Sequence, residues 1–494
     1  MQITPEDLFG PLLIAKQGNL KFIPNAPVYS DSRKVEKGSI FAAIPGTAVD
    51  GHDFIPAVLT AGVSMVIHSK NLGFAPPQDI LFCQVSDVRQ AFSLLCRHFC
   101  GNPDEKLKVY GVTGTNGKTT SVYLLRHLLD AAGLPCGLIS TVEFCDGENT
   151  LPATHTTPDP QTLYPLLDNM TANGINAVAM EFSSHALDQK RIHGISLHGA
   201  IFTNLTGDHL DYHQDMENYY QAKKILFTSM LEKNGIAAIN IDSPAGCRLA
   251  EELSFERPDL KIPTFGRSEN AGWRISQENT TITGCSFILS NAKQAFQVNF
   301  PLPGEYNITN LAGVLTLLLC DNISPEAIDR ALSTPLQVPG RVEYFPSPSG
   351  AHFFVDYAHT DDALANVLAA LKKLCTGKLT AVFGAGGNRD KSKRPRMGAA
   401  AAKFADRLII TSDNPRFENP EDIISQIVAG LPENTAFETI VSRRDAIAHA
   451  VKNAQKDDVI LIAGKGHENY QVINGIKHPF DDREILKQLI EKQL

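Results

Sequence analysis

The stretch Gly111-Val-Thr-Gly-Thr-Asn-Gly-Lys-Thr-Thr120 decides the fold of the central part of this chain. Before it, Leu107 to Val112 is apolar and β-prone. After it, Ser121 to Ala132 carries Val122, Leu124, Leu125, Leu128 and Leu129 at helical spacing. A glycine-rich turn between a strand and a helix, ending in a lysine and two hydroxyls, is suited to wrap the phosphates of a nucleoside triphosphate. Gly114 and Gly117 let backbone N–H groups approach phosphate oxygens, Lys118 reaches the outer phosphates, and the Thr119 hydroxyl is placed for magnesium. The strict P-loop pattern has a glycine where this chain has Val112, so the loop is a variant. ATP and Mg2+ are the expected ligands.

Working outward, 494 residues exceed what one hydrophobic core organises, and three units are expected: 1–104, 105–337 and 338–494. The apolar fraction of 43 % and the charged fraction of 20 % are those of a soluble globular protein. A net charge of −9 gives no reason to propose nucleic acid or an anionic membrane as partner, and the longest apolar run, Leu311 to Cys320, is too short to span a bilayer. Nine cysteines without a CxxC pair argue against a disulfide framework and for a reducing compartment. The opening Met1-Gln-Ile-Thr-Pro-Glu-Asp7 lacks the regions of a signal peptide, so a cytoplasmic protein is expected.

The first segment mixes short strands (Ser39 to Ile44, Ser64 to His68, Ile80 to Val85) with a helix from Val88 to Cys100, and ends in the linker signal Gly101-Asn-Pro-Asp104. The second alternates strands, such as Ala177 to Met180 and Gly199 to Phe202, with helices, implying a largely parallel sheet. In the third, strands at 353–355, 379–383, 408–411 and 459–462 alternate with helices at 361–375 and from 421, a Rossmann-like open sheet. Its strand ends carry Asp356-Tyr-Ala-His359, Gly384 to Arg389, Asp413-Asn-Pro-Arg416 and Gly464-Lys-Gly-His-Glu468, four polar loops on one rim. The fold class is α/β throughout: a mixed N-terminal domain, a central parallel-sheet ATPase domain and a Rossmann-like C-terminal domain.

Glu181, at a strand end in the sheet of the nucleotide loop, is placed to hold magnesium; a capped turn at Glu181-Phe-Ser-Ser-His185 is the alternative. Asp208-His-Leu-Asp-Tyr-His213 offers two histidines and two aspartates, but nothing nearby completes a tetrahedral zinc set. Lys223 and Lys224 read, on their own, as a solvated helix face.

Taken together these stretches resemble the Mur ligases across essentially the whole chain, and most closely the members that add diaminopimelate. Further matches are Asp31-Ser-Arg33 with Asp50-Gly-His52, Asn204-Leu-Thr206, Ala222-Lys223, Asn307-Ile-Thr-Asn310, Gly340-Arg-Val-Glu343 and Lys391 to Pro395. The resemblance implies ATP-driven amide formation through an acyl phosphate, in peptidoglycan precursor synthesis. It implies that Gly114, Thr115, Asn116, Gly117, Lys118, Thr119 and Thr120 bind ATP with Asn310 and Arg341. It assigns Ser30, Ser32, Thr47, Ala48 and Val49 to the uridine diphosphate end of a UDP-N-acetylmuramoyl dipeptide, UDP-MurNAc-L-Ala-D-Glu, and His155, Thr156, Thr157, Ser183, Gln189 and Arg191 to the dipeptide end. His155 stands where the family usually has asparagine.

By the same resemblance Lys118, Glu181, His209 and Lys223 form the catalytic group. Lys223, as a carbamate (N6-carboxylysine), would join Thr119, Glu181 and His209 around magnesium. Arg389, Asp413, Asn414, Pro415, Arg416, Gly464 and Glu468 would bind the acceptor amino acid. Asp413-Asn-Pro-Arg416 is the form associated with meso-diaminopimelate, whose second zwitterionic end calls for the cation of Arg416. Asn388 replaces a usual aspartate. A monomer acting on small molecules is expected. L-lysine as acceptor, folylpolyglutamate synthesis and a regulatory ATPase are the competing readings.

Overall fold

The computed structural model describes residues 4–18, 26–46 and 49–492. It comprises two compact units, one of residues 1–273 and 313–328, the other of residues 274–312 and 329–494.

The first unit contains two sheets. The smaller has five strands in the order Leu13–Gln17, Leu81–Val85, Met65–His68, Ile40–Ala42 and Val28–Tyr29, parallel except at the first pair. Helix Val88–Phe99 begins where the Asp87 carboxylate accepts from the N–H groups of Arg89 and Gln90, and it buries Val88, Ala91, Phe92, Leu95 and Cys96. The Gly101-Asn-Pro-Asp104 connection is fastened rather than slack. Asp104 is buried, accepts two bonds from the Arg97 Nε and Nη2 atoms at 2.8 and 3.0 Å, and takes a third from Ser196 N at 3.0 Å.

In the larger sheet, strands Thr264–Gly266, Leu231–Asn240, Leu197–Phe202, Lys108–Thr113, Ala177–Glu181 and Cys136–Ile139 run parallel in that spatial order. The antiparallel pair Glu143–Cys145 and Thr150–Pro152 extends one side. Helix Lys118–Ala131 starts three residues before its apolar repeat, because Gly117, left-handed at φ 88°, ends the loop and Lys-Thr-Thr forms the first turn. Its Val122, Leu124, Leu125, Leu128 and Leu129 are wholly buried, each contributing about 1.5–3 kcal/mol. That packing fixes the helix N-terminus, and hence the loop, on the sheet.

The second unit holds an antiparallel ribbon, Trp273–Thr281, Gly284–Ser290 and Ala295–Phe300, which has no counterpart in the sequence reading. Its main sheet has six strands in the order Glu343–Pro346, His352–Asp356, Val459–Ala463, Leu379–Phe383, Arg407–Thr411 and Phe437–Ile440, parallel except at the first pair. Val459–Ala463 is last of the parallel strands in sequence but lies between the first two, so the order reverses there. Ligand crevices form at the carboxyl ends of strands at such a point. All four polar loops singled out in the sequence leave those ends. Among the described residues no helix is long and apolar enough to cross a membrane.

Candidate active site

At the nucleotide loop, Gly114 is left-handed at φ 152°, and a Cβ there would lie 1.9 Å from Thr203 Oγ1; only glycine fits. The loop is laced to the segment after strand Leu197–Phe202. Thr115 N donates to Asn204 O at 3.0 Å, Asn116 N to Asn204 Oδ1 at 2.9 Å, and Thr203 Oγ1 to Asn116 O at 2.6 Å. Lys118 curls back, its Nζ donating to Gly114 O at 2.9 Å and Thr115 O at 2.8 Å. Thr119 and Thr120 are buried in the first helical turn.

The neighbouring lysines separate sharply. Lys224 is ion-paired with Glu252 and Glu256 on the surface, whereas Lys223 is 1 % exposed and donates to Gly114 O at 2.8 Å. Its ammonium lies over the Tyr219 ring, 4.4 Å from the centroid. Burial, reinforced by the Lys118 charge, pulls the Lys223 pKa well below the ordinary lysine value. That direction favours the neutral, nucleophilic amine.

Glu181 is completely buried at its strand end, and its two oxygens accept from Thr141 N at 2.8 Å and Thr141 Oγ1 at 3.1 Å. The capped turn read as the alternative is present, since Ser183 caps helix Ser184–Asp188 through Ala186 N. Thr157 Oγ1 ties the two together, donating to Glu181 O and accepting from Ser183 N. Thr156 Oγ1 accepts from Thr141 Oγ1 at 3.2 Å.

His209 adopts φ 54° at the start of helix Leu210–His213, half-exposed, its ring 4.8 Å from that of His185 and 6.2 Å from that of Tyr219. Burial, with the Lys118 charge, lowers its pKa against the pull of Asp208, a direction that favours the neutral imidazole. Among the described residues no three His, Cys, Asp or Glu side chains converge as a metal cage. The hard oxygens of Thr119 and Glu181 with one imidazole suit magnesium, which keeps its waters and takes few protein ligands.

Ser30, Gln189 and Arg191 converge on a cavity of about 310 Å3, which Ile44, Arg89, Phe92, Asp159 and Pro160 complete. Arg191 Nε donates to Gln189 Oε1 at 2.9 Å, and burial followed by the Arg89 charge lowers its pKa against the pull of Asp159. Ser32 opens a one-turn helix capped by Asp31, Val49 is 57 % exposed, and His155 is exposed. Thr47 and Ala48 lie outside the described residues.

In the second unit Asn310 Nδ2 donates to Asn307 Oδ1 at 3.3 Å, and the Arg341 guanidinium lies over the Tyr357 ring at 4.8 Å. On the strand-end rim, the hairpin Tyr470–Ile473 and Ile476–Pro479 grips Asp413-Asn-Pro-Arg416. Arg416 N donates to Val472 O, Val472 N to Asn414 Oδ1, and Gln471 Nε2 to Asp413 O. Asp413 and Asn414 are buried, and Asn414 Nδ2 donates to Glu468 Oε2 at 2.9 Å. Pro415 is also buried. Gly464, at φ 116°, leaves no room for a Cβ, which would stand 2.6 Å from Asp413 Oδ2. Arg416, itself left-handed at φ 54°, donates from Nη1 to Gly387 O at 2.7 Å. Arg389 projects exposed from the same loop. Asn388 has a structural reason: it sits at φ 52°, which asparagine tolerates, and its Oδ1 accepts from Phe417 N at 3.0 Å.

Three residues of these sites were given no role from the sequence. Arg89 is a helix-face residue whose partner in the cavity is remote in sequence. Arg394, wholly buried, clamps Glu418 with both Nη atoms and holds that carboxyl down to about 2. Lys465 carried the one legible signal, a charged residue between two glycines at a strand end.

The Mur ligase family catalytic domain matches residues 27–99, the Mur ligase middle domain residues 112–318, and the Mur ligase glutamate ligase domain residues 340–466. The chain is 37 % identical over 504 aligned residues to the UDP-N-acetylmuramoyl-L-alanyl-D-glutamate–2,6-diaminopimelate ligase of Geobacter metallireducens, covering 98 % of this chain and 95 % of that one. It is 43 % identical to the ligase of the same name from Bacteroides fragilis, over 93 % of each. A solved structure of a ligase so named aligns over 100 % of this chain and 99 % of its own, at 33 % identity and a TM-score of 0.73. The folylpolyglutamate synthase of Mycobacterium tuberculosis, at 17 % identity and a TM-score of 0.60 over 75 % of this chain and 91 % of its own, shares the fold alone. Full-length identity of this order, with three domain matches in sequence order, means that the chain belongs to the Mur ligase family.

Proposed function

We propose that this chain is an ADP-forming ligase that adds meso-2,6-diaminopimelate to UDP-N-acetylmuramoyl-L-alanyl-D-glutamate, a step of peptidoglycan precursor synthesis. The observation that supports the choice of acceptor is Arg416, anchored by its backbone to the hairpin and by its side chain to Gly387, on the same strand-end rim as Asp413 and Glu468. A guanidinium and two carboxylates on one rim are complementary to a group bearing both a carboxylate and an ammonium, as the distal end of meso-diaminopimelate does. L-lysine lacks that carboxylate.

A carboxylate is a poor acyl donor in water, so its oxygen attacks the γ-phosphorus of ATP and ADP departs. The acceptor nitrogen, as a free amine, then attacks the carbonyl carbon. Phosphate leaves with the former carboxylate oxygen, and the nitrogen gives up a proton. The backbone N–H groups of Gly117 to Thr120 and the Lys118 ammonium hold the phosphates and offset charge on the transferring group, with Thr115 and Asn116 fixing the loop against Asn204. Arg191, Arg89, Gln189 and Ser30 bind the anionic donor in their cavity. Thr119, Glu181 and His209 would hold magnesium, which when bound would supply Lewis-acid neutralisation of phosphoryl charge. Lys223 fits this set only as an anion: its neutral amine takes up CO2, forming an N–C bond and releasing a proton, to give a carbamate. Arg389 binds the acceptor's reacting end, with Asn414, Pro415 and Gly464 shaping the pocket.

On this reading residues 1–104 serve the UDP end, 105–337 ATP and 338–494 the acceptor. The protein acts as a monomer in the cytoplasm, consistent with nine cysteines, all unpaired. The test supplies ATP, magnesium, meso-diaminopimelate and a donor whose glutamate carboxylates carry 18O. The expected result is a UDP-linked tripeptide and phosphate bearing one 18O atom. Unlabelled phosphate would eliminate the acyl phosphate, and absence of tripeptide would eliminate the activity.

A further inference from the structure

Lys465 follows strand Val459–Ala463 and is 0 % exposed. Its Nζ donates to Asn414 Oδ1 and to Glu468 Oε2, both at 3.2 Å, and stands 3.9 Å from Asp413 Oδ1, with the Tyr470 ring 5.7 Å away. Since Asn414 Nδ2 donates to the same Glu468 oxygen, Oε2 is committed before any ligand arrives. The two carboxylates of this corner therefore face the rim with one cation already built in. Arg443, the other buried cation that feels Asp413 and Glu468, is spent elsewhere: its Nε and Nη2 bind Asp482 at 2.8 and 2.7 Å, and Nη2 also donates to Ala463 O. Tyr470, on the hairpin that covers the corner, feels the charges of Glu468, Arg416 and Asp413, which puts the Arg416 guanidinium in the same electrostatic neighbourhood.

Without a resident cation, a pair of carboxylates is a general trap for ammonium groups, and a lone side-chain ammonium would satisfy it as well as an amino-acid end. With Lys465 in place the pair keeps a single net negative charge, which matches one ammonium, while Arg416 matches one carboxylate. We propose that Lys465 is a specificity-setting residue of the acceptor corner, a resident ammonium that tunes it to the zwitterionic end of an acceptor over a lone ammonium. It acts through Glu468 and Asp413 rather than by touching the reacting atoms, and the assignment rests on the reading of this rim as the acceptor site.

The test uses the full chain and its Lys465→Met, Lys465→Gln and Lys465→Arg variants, with meso-diaminopimelate and L-lysine as competing acceptors and tripeptide formation as the readout. Removing the charge is expected to raise KM for meso-diaminopimelate roughly tenfold or more, with a smaller change in kcat. The ratio of kcat/KM for L-lysine over meso-diaminopimelate is expected to rise by a similar factor. KM for the UDP-linked donor stays fixed, and Lys465→Arg restores the native ratio. Lys465→Gln keeps a donor toward Asn414 and Glu468 without the charge, and carries the same measurement if Lys465→Met does not fold. Equal losses for both acceptors, or an unchanged ratio, would overturn the assignment alone. A native chain that forms tripeptide with neither acceptor would overturn the acceptor-site reading and the assignment with it.

Discussion

The nucleotide loop and the acceptor rim each enclose a buried lysine, and the two are held in opposite ways. Lys223 is 1 % exposed, donates only to a backbone carbonyl, and has a second ammonium, Lys118, on that same oxygen. Lys465 is 0 % exposed and lies between the carboxylates of Glu468 and Asp413. Burial without a counter-charge favours the neutral amine, while burial between carboxylates favours the ion. One lysine is therefore prepared for covalent chemistry and the other serves as a fixed charge. Sequence spacing does not distinguish them; their partners do.

Removing the unpaired lysine is expected to have the largest effect. Lys223→Ala should lower kcat by roughly 10^3-fold, as loss of a group aimed at transition-state charge does, whereas Lys224→Ala should stay within about twofold, since an exposed ion pair contributes little. Incubation with 13C-labelled bicarbonate sharpens the contrast: a carbamate carbon resonance should appear in the native protein and Lys224→Ala and vanish in Lys223→Ala. A signal that survives in Lys223→Ala would remove the distinction between the two buried lysines.

Next in size is the support behind the paired lysine. Arg443 and Asp482 are both wholly buried and fix Ala463 O, one residue before the Gly464 loop. Arg443→Met leaves a buried carboxylate alone and should cost about 3–5 kcal/mol in urea unfolding, much of it recovered in Arg443→Met with Asp482→Leu. Arg416→Ala should then raise KM for meso-diaminopimelate by about 10- to 100-fold through loss of a charge-assisted bond, and leave KM for the UDP-linked donor unchanged. Equal losses for both substrates would mean that Arg416 holds the fold rather than the acceptor.

The smallest effect comes from the opposite end of the nucleotide-loop strand. There Asp321 accepts from Tyr110 Oη and Lys108 Nζ and pairs with His198 Nε2 at 2.7 Å. The bond to Asp321 raises the His198 pKa above the ordinary 6.5, and Asp321 is held down to about 2. The histidine contribution is thus full below pH 6.5 and fades as pH climbs through the raised folded value. The aspartate contribution is full above its ordinary value of 3.8 and fades as pH falls toward about 2. A loss of about 1 kcal/mol or less between pH 6 and 9, absent in His198→Gln, should appear in thermal melts. An identical pH slope in both proteins would contradict it.

Much of this was legible in sequence because it rests on local rules. The glycine-rich turn and the heptad-like apolar face of residues 122–129 fixed strand, loop and helix together, and four strand-end loops announced one rim. The helix began earlier than its apolar repeat because Gly117, not an apolar residue, sets its first turn. The ribbon of residues 273–300 escaped although Gly284–Ser290 alternates, because its neighbour Trp273–Thr281 loses alternation in a largely exposed second half. Arg89, Arg394 and Lys465 escaped for another reason. Each owes its role to partners 24 to 102 residues away or to a carboxylate whose own environment only tertiary structure sets, as Arg394 does with Glu418, 24 positions on, and Arg89 with Arg191.

The most direct test of the account is acceptor-dependent phosphate release by the native protein, given ATP, magnesium and UDP-N-acetylmuramoyl-L-alanyl-D-glutamate, with meso-diaminopimelate, L-lysine or no amino acid. Release that depends on meso-diaminopimelate and is far slower with L-lysine is the predicted result. Release that is equal with both amino acids, or that proceeds unchanged without either, would contradict it.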